Sequence, residues 1–419
     1  MEKSSIYIKI AFVLIFLDSL FVYFSKQYLG AIIPVNLSIP VLVALAAITK
    51  GKKHIMPEQK IIVILLFTMI GFSAGTIILP EFGLSRITEI ISALLAFIVG
   101  YAFIRWSKDS DEISPIFLGI GLAYSLTCMI ALSHILPSLF PVIDKLWSLD
   151  GTLINRPEVT TDQNFQIFYL LPGLLVLALP LKKWRLLLSI VCFAGSLYAL
   201  AKLQTRSGIL VCFSVAAMCI FAPIWTKSLG RKKTFVFPIA TLIIAAAFLP
   251  LILDYAHEII LRFTKTDFST GLGRLHSLLY LFENIYKPTW WIPHGNAEML
   301  ALTGNKPHSN PTGIFLDGGL LSLVGWFLLF IMPLYRLSRK FFKRQLDNLT
   351  TMLLIGGVAF MIIQLSLNVP LMDQIWLMAG AVIAAETRLK QKRHPHEPVN
   401  SDSQESESPP YHRYPKLRT

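Results

Sequence analysis

Three arginines and one histidine carry the side chains best suited to chemistry on a phosphorylated substrate. Arg206 stands in Leu203-Gln204-Thr205-Arg206-Ser207-Gly208, where one apolar run ends and the next begins almost at once. A cation in the bilayer centre costs about 3 kcal/mol and less near the interface, so it needs an anionic partner or a route to water. Both readings fit Arg206: a ligand for an anion, or an anchor whose guanidinium snorkels to phospholipid headgroups. Arg262, in Ile260-Leu261-Arg262-Phe263, and Arg274, in Gly271-Leu272-Gly273-Arg274-Leu275-His276, share a later loop. The planar guanidinium fork suits phosphate oxygens and stays charged at any working pH, so three converging arginines would hold a pyrophosphate without metal. Taken singly, each also reads as a solvated loop arginine. His308 lies in Lys306-Pro307-His308-Ser309-Asn310-Pro311. A neutral imidazole can take a proton from a hydroxyl near neutral pH. The same residue could equally cap a helix or contact headgroups.

Other chemistries find little footing. Asp109-Ser110-Asp111 falls in a short charged loop and reads as a solvated turn. The loop at about 25–31 has no acidic residue with which to hold a divalent cation. There is no Walker-type phosphate loop, zinc motif or exposed nucleophile elbow. Cys128, Cys192, Cys212 and Cys219 all lie in apolar stretches without Cys-x-x-Cys spacing, which makes them packing residues.

The elements that must position these residues belong to a membrane. Of 419 residues, 54% are hydrophobic and 15% charged, and the mean hydropathy is +0.61. A soluble domain carries about a quarter charged residues, so a single water-soluble core is excluded. The net charge of +13 is spread in short clusters between apolar runs, the pattern of membrane topology rather than of nucleic-acid binding. Spanning helices of about 20 residues are predicted near 5–24, 32–48, 61–80, 88–104, 113–136, 165–181, 186–202, 208–225, 234–253, 313–335, 350–367 and 371–386. The fold class expected is all-α, polytopic, with about twelve spans. Residues 1–253 hold the first nine spans with short loops, 254–312 form one large external loop, 313–387 hold the last three spans, and 388–419 form a polar, disordered tail. Alternate loops hold eighteen lysines and arginines on one side and six on the other, counting short loops, which puts both termini in the cytoplasm.

The loop at 254–312 has enough apolar residues to pack, Tyr255, Phe263, Phe268, Trp290 and Trp291 among them. Long loops in compact proteins are functional or disordered. From Arg274 to Tyr286 the apolar residues recur at helical spacing, which predicts an amphipathic helix on the membrane surface. The other external loop of any length, about 137–164, is shorter and polar.

A many-span chain with a Thr205-Arg206-Ser207-Gly208 turn, a large external loop carrying Gly273-Arg274, and His308-Ser309 before a glycine-rich helix resembles the O-antigen ligase and polymerase superfamily. Ligases there carry histidine, then asparagine or serine, nine residues, glycine, two residues, and glycine, threonine or tyrosine. Here His308-Ser309 is followed by nine residues and Gly319-Leu320-Leu321-Ser322, with Ser322 departing from the pattern. The resemblance covers about 203–326. It implies a fold similar to metal-independent GT-C glycosyltransferases, in a bacterial inner membrane with the active site in the periplasm. It implies that Arg206, Arg262 and Arg274 bind the diphosphate of an undecaprenyl-diphosphate-linked glycan, and that His308 is the general base for transfer to lipid A-core oligosaccharide. No metal, cofactor or nucleic acid is implied. An O-antigen polymerase and a protein O-oligosaccharyltransferase would use the same donor. From another class, a twelve-span secondary transporter fits the span count, with Asp18 as its best intramembrane site.

Overall fold

The computed structural model describes residues 3–33, 35–50, 55–79, 85–149, 152–160, 164–179, 183–203, 205–225, 277–295 and 309–393. Helices stand over eleven of the twelve predicted runs; the run at 234–253 lies outside the described residues. In chain order they are α1 (Lys3–Leu29), α2 (Ser38–Lys50), α3 (Gln59–Ile78), α4 (Ser85–Trp106), α5 (Ser110–Leu132), α6 (Gln166–Leu175, extended by a 3-10 turn), α7 (Lys183–Lys202), α8 (Arg206–Trp225), α9 (277–284), α10 (Asn310–Trp326), α11 (Met332–Phe342), α12 (Asn348–Ser366) and α13 (Asp373–Arg393). Among the described residues, seven helices are long and apolar enough to cross a membrane. The surface of the bundle is apolar as well as its interior: on α3, Leu65, Met69 and Phe72 are buried while Phe67, Ile70 and Ile77 are exposed. Only a lipid solvent tolerates such a shell, and helices satisfy their own backbone groups there.

Contacts between helix ends fix the alternation. At one end, Tyr23 Oη near the end of α1 donates to Pro141 O (2.6 Å), and Ser92 Oγ near the start of α4 donates to Asp373 Oδ2 at the start of α13 (2.7 Å). At the other end, Lys9 on α1 pairs with Glu112 on α5. Arg388, late in α13, donates to the carbonyls of Ile104 (3.0 Å), Ser107 (2.6 Å) and Lys108 (2.9 Å) at the end of α4. These bonds explain why α13 continues to Arg393, past the predicted boundary at 387. This second end is the basic one, holding Lys50, Arg105, Arg185, Arg336 and Arg339.

Small residues set the closest approaches. Gly71 and Gly75 on α3 face Gly318, Ser322 and Asp317 on α10, and a Cβ at either glycine would collide with that backbone or side chain. Gly100 on α4 and Gly380 on α13 meet the Leu377 and Phe97 carbonyls in the same way. Such glycines allow membrane helices to pack backbone to backbone.

Asp109 caps α5 by accepting from Glu112 N (3.0 Å), a local role in keeping with the solvated-turn reading. All four cysteines are buried. The polar loop at 137–164 departs from the all-α expectation: β1 (Ile143–Leu149) and β2 (Thr152–Glu158) form an antiparallel hairpin with Leu149 opposite Thr152. Asp150-Gly151 between them is a favoured two-residue hairpin pair. Its end of the bundle is called the hairpin end below.

Candidate functional site

Ser309 is the N-cap position of α10, and Pro311 in the first turn costs nothing there because its missing N–H would have no helical partner. The helix therefore starts at Asn310, ahead of the predicted 313. The turn is tied down on every side. Ser309 and Thr312 share a hydroxyl bond (2.7 Å), and Thr312 Oγ1 donates to Ser277 O on α9 (2.8 Å). Asn310 Nδ2 donates to Gln364 Oε1 (2.8 Å), which also accepts from Trp326 Nε1 (2.9 Å). Asn310 Oδ1 accepts from Val369 N (3.0 Å). The whole stretch Asn310–Gly319 is buried.

At Gly319 the helix breaks. Its φ of +67° lies in the left-handed region that favours glycine, and a Cβ would collide with Trp291 O. The loop 291–295 supplies the bonds the break leaves open: Leu320 N donates to Trp291 O (2.9 Å), while His294 N and Gly295 N both donate to Leu316 O (2.9 Å each). Trp290 stacks on His294 (4.3 Å) and meets Tyr280 edge-on (5.5 Å), which holds that loop against α9. Ser322, the residue that departs from the ligase pattern, donates to Thr68 O on α3 (2.7 Å). Of the stretch predicted as an amphipathic helix, 277–284 is helical as α9 and 274–276 lie outside the described residues; Ser277, Tyr280, Leu281 and Asn284 face inward, and Leu279 and Phe282 face out.

Asp317 sits in this broken helix with its side chain 4% exposed, and its partner is Arg86 at the start of α4, Nη2 to Oδ2 at 2.6 Å. Arg86 also reaches Glu89 (Nη1 to Oε2, 2.9 Å). In the sequence Arg86 stands in a short loop ahead of an apolar run, with no motif around it. The signal that could have found it was the acid itself, since a carboxylate within an apolar run must pair. Arg86 lines a cavity of about 780 Å³ at the hairpin end, shared with Asp18, Glu89, Ser92, Asp373 and Gln374. Gln374 is fixed by donating to Ile15 O (2.9 Å). Carboxylates, amides and hydroxyls in one cavity can accept and donate the hydrogen bonds of a polyhydroxylated ligand.

Of the residues expected to act, Arg206 opens α8 at the hairpin end, where Leu203 packs with Val159 and Leu132. Its position is described for the backbone alone. Arg262, Arg274 and His308 lie outside the described residues, although Ser309, next in sequence to His308, is fixed as above. Arg206 and Ser309 thus begin helices at the same end, and the cavity opens at that end too.

Fold and site together define a polytopic α-helical membrane protein with a buried, interrupted helix and a carboxylate-lined cavity at one end. Compared with known proteins, the chain matches no protein-family model and no curated protein.

Proposed function

We propose that the protein acts as an O-antigen ligase, moving a glycan from undecaprenyl diphosphate to lipid A-core oligosaccharide on the periplasmic side of the inner membrane. The observation that carries this reading is the break at Gly319. In the stretch that begins at His308-Ser309, Gly319 occupies a position with positive φ and no room for a Cβ. The motif's glycine position thus has a structural need for glycine, which supports the reading. The shared end of Arg206 and Ser309 adds to it.

In the proposed reaction the oxygen of an acceptor hydroxyl bonds to the anomeric carbon of the donor, and the bond from that carbon to the diphosphate oxygen breaks with inversion. His308 takes the hydroxyl proton. Arg206, Arg262 and Arg274 stabilise the departing diphosphate, whose charge grows in the transition state. The donor is already activated, so positioning and one proton acceptor suffice. Purified protein is expected to transfer glycan from undecaprenyl diphosphate to rough lipopolysaccharide, and to do so undiminished in excess chelator. Transfer that stops on chelation and returns with a divalent cation would overturn the metal-independent mechanism.

A second reading, a secondary transporter, draws on one observation: Asp18 shares the cavity with Glu89 and Asp373, and intramembrane carboxylates often line ion pathways. Carriers too build their sites from discontinuous helices, so what favours the ligase over this reading is the order of Arg206, His308-Ser309 and Gly319 along the chain.

A further inference from the structure

The basic end of the bundle holds a second, smaller cavity of about 390 Å³, lined by Arg105, Trp106, Ser107, Lys108, Arg388 and Gln391. It lies where the end of α4 meets the end of α13, far along both helices from Ser92 and Asp373. Its size falls at the lower end of small-ligand sites, about 300–1,000 Å³.

Three cations line it, and the acids near them, Asp109, Glu112 and Asp347, each make a local bond as well. Asp109 caps α5. Glu112 pairs with Lys9 and accepts from Lys108 N (2.8 Å). Asp347 caps α12 through Thr350 N (2.9 Å) and Thr350 Oγ1 (2.6 Å). Arg388 is held in place by the three carbonyls at the end of α4, which engage both Nη atoms. Arg105 is steered by one bond to Gln391 Oε1. Trp106 closes one side, with Lys50 Nζ 4.4 Å above its ring. Two oriented guanidiniums, an exposed lysine and an indole at the end of a membrane helix form a setting for a phosphate whose acyl chains lie along the bundle.

We propose that this cavity binds the phosphate group of an anionic phospholipid. Basic pockets between helices on the cytoplasmic side of membranes take such headgroups. The site is separate from the proposed transfer site and does not depend on it.

The test uses the full chain in nanodiscs of phosphatidylcholine with a minor fraction of phosphatidylglycerol, with bound lipid read by native mass spectrometry. Wild-type protein is expected to retain phosphatidylglycerol selectively. The Arg105→Gln/Lys108→Gln variant is expected to lose roughly 10- to 30-fold of that retention, the effect of two headgroup contacts. Lys343→Gln, a change at the same end but away from the cavity, serves as the control and is expected to retain lipid like wild type. Equal loss in the control would show diffuse charge attraction and overturn the proposal, as would equal retention in the double variant. A parallel arm titrates inorganic phosphate into protein in uncharged detergent. Saturable binding there that the double variant loses, without selective lipid retention, would assign the same chemistry to a soluble phosphate and overturn the lipid source.

Discussion

His308→Ala is expected to lower glycan transfer by about 10²- to 10⁴-fold, the range a positioned general base contributes, while lipid-linked donor still binds. The expectation follows from the division of labour in the proposed reaction. The arginines hold the diphosphate in both ground and transition states, so donor affinity survives. The proton of the acceptor hydroxyl has nowhere to go without the imidazole, so the rate falls. Transfer and donor binding are measured on the same purified variant, the first by the gain in size of rough lipopolysaccharide and the second by retention of radiolabelled donor. Wild-type transfer by this variant would remove His308 from the mechanism.

Arg86→Ala is expected to destabilise the folded protein by about 3–5 kcal/mol, the cost of leaving one partner of a buried ion pair behind. Asp317 is 4% exposed and Arg86 12%, so removing the guanidinium leaves a largely buried carboxylate with only the cavity beside Arg86 to compensate it. Arg86→Lys should recover only part of the loss. A single ammonium lacks the planar fork with which Arg86 reaches Glu89 at 2.9 Å and Asp317 at 2.6 Å together. Arg86→Met/Asp317→Leu, which removes both charges and fills the space, should be more stable than Arg86→Ala. Denaturant unfolding in mild detergent gives the order. A stability of Arg86→Ala equal to that of wild type would show that the pair contributes nothing to the fold.

The apolar helices were legible because hydropathy marks them: a stretch such as Gln59–Ile78 is apolar along its whole length and satisfies its own backbone groups as a helix in lipid. Features that depend on contacts between distant residues were not. Arg86 and Asp317 are 231 residues apart, and no spacing rule joins them. Gly319 was legible as a motif position but not as a break, because the Trp291 carbonyl that a Cβ there would meet belongs to a separate segment of the chain. The hairpin at Ile143–Glu158 was missed for a local reason: its alternation is weak, and only Asp150-Gly151 marked the turn. Of the proposed site, the sequence supplied the order Arg206, Arg262, Arg274, His308. The structure adds the end of the bundle at which Arg206 and Ser309 stand.

The most direct test of ligation is a paired gel of lipopolysaccharide and of lipid-linked glycan from cells lacking this gene, with wild-type or His308→Ala protein restored. The account predicts bare core and long glycan accumulating on the lipid carrier, reversed by wild type and not by His308→Ala. Core bearing a single repeat unit would make the protein a polymerase, and unchanged glycans in both fractions would contradict glycan transfer altogether.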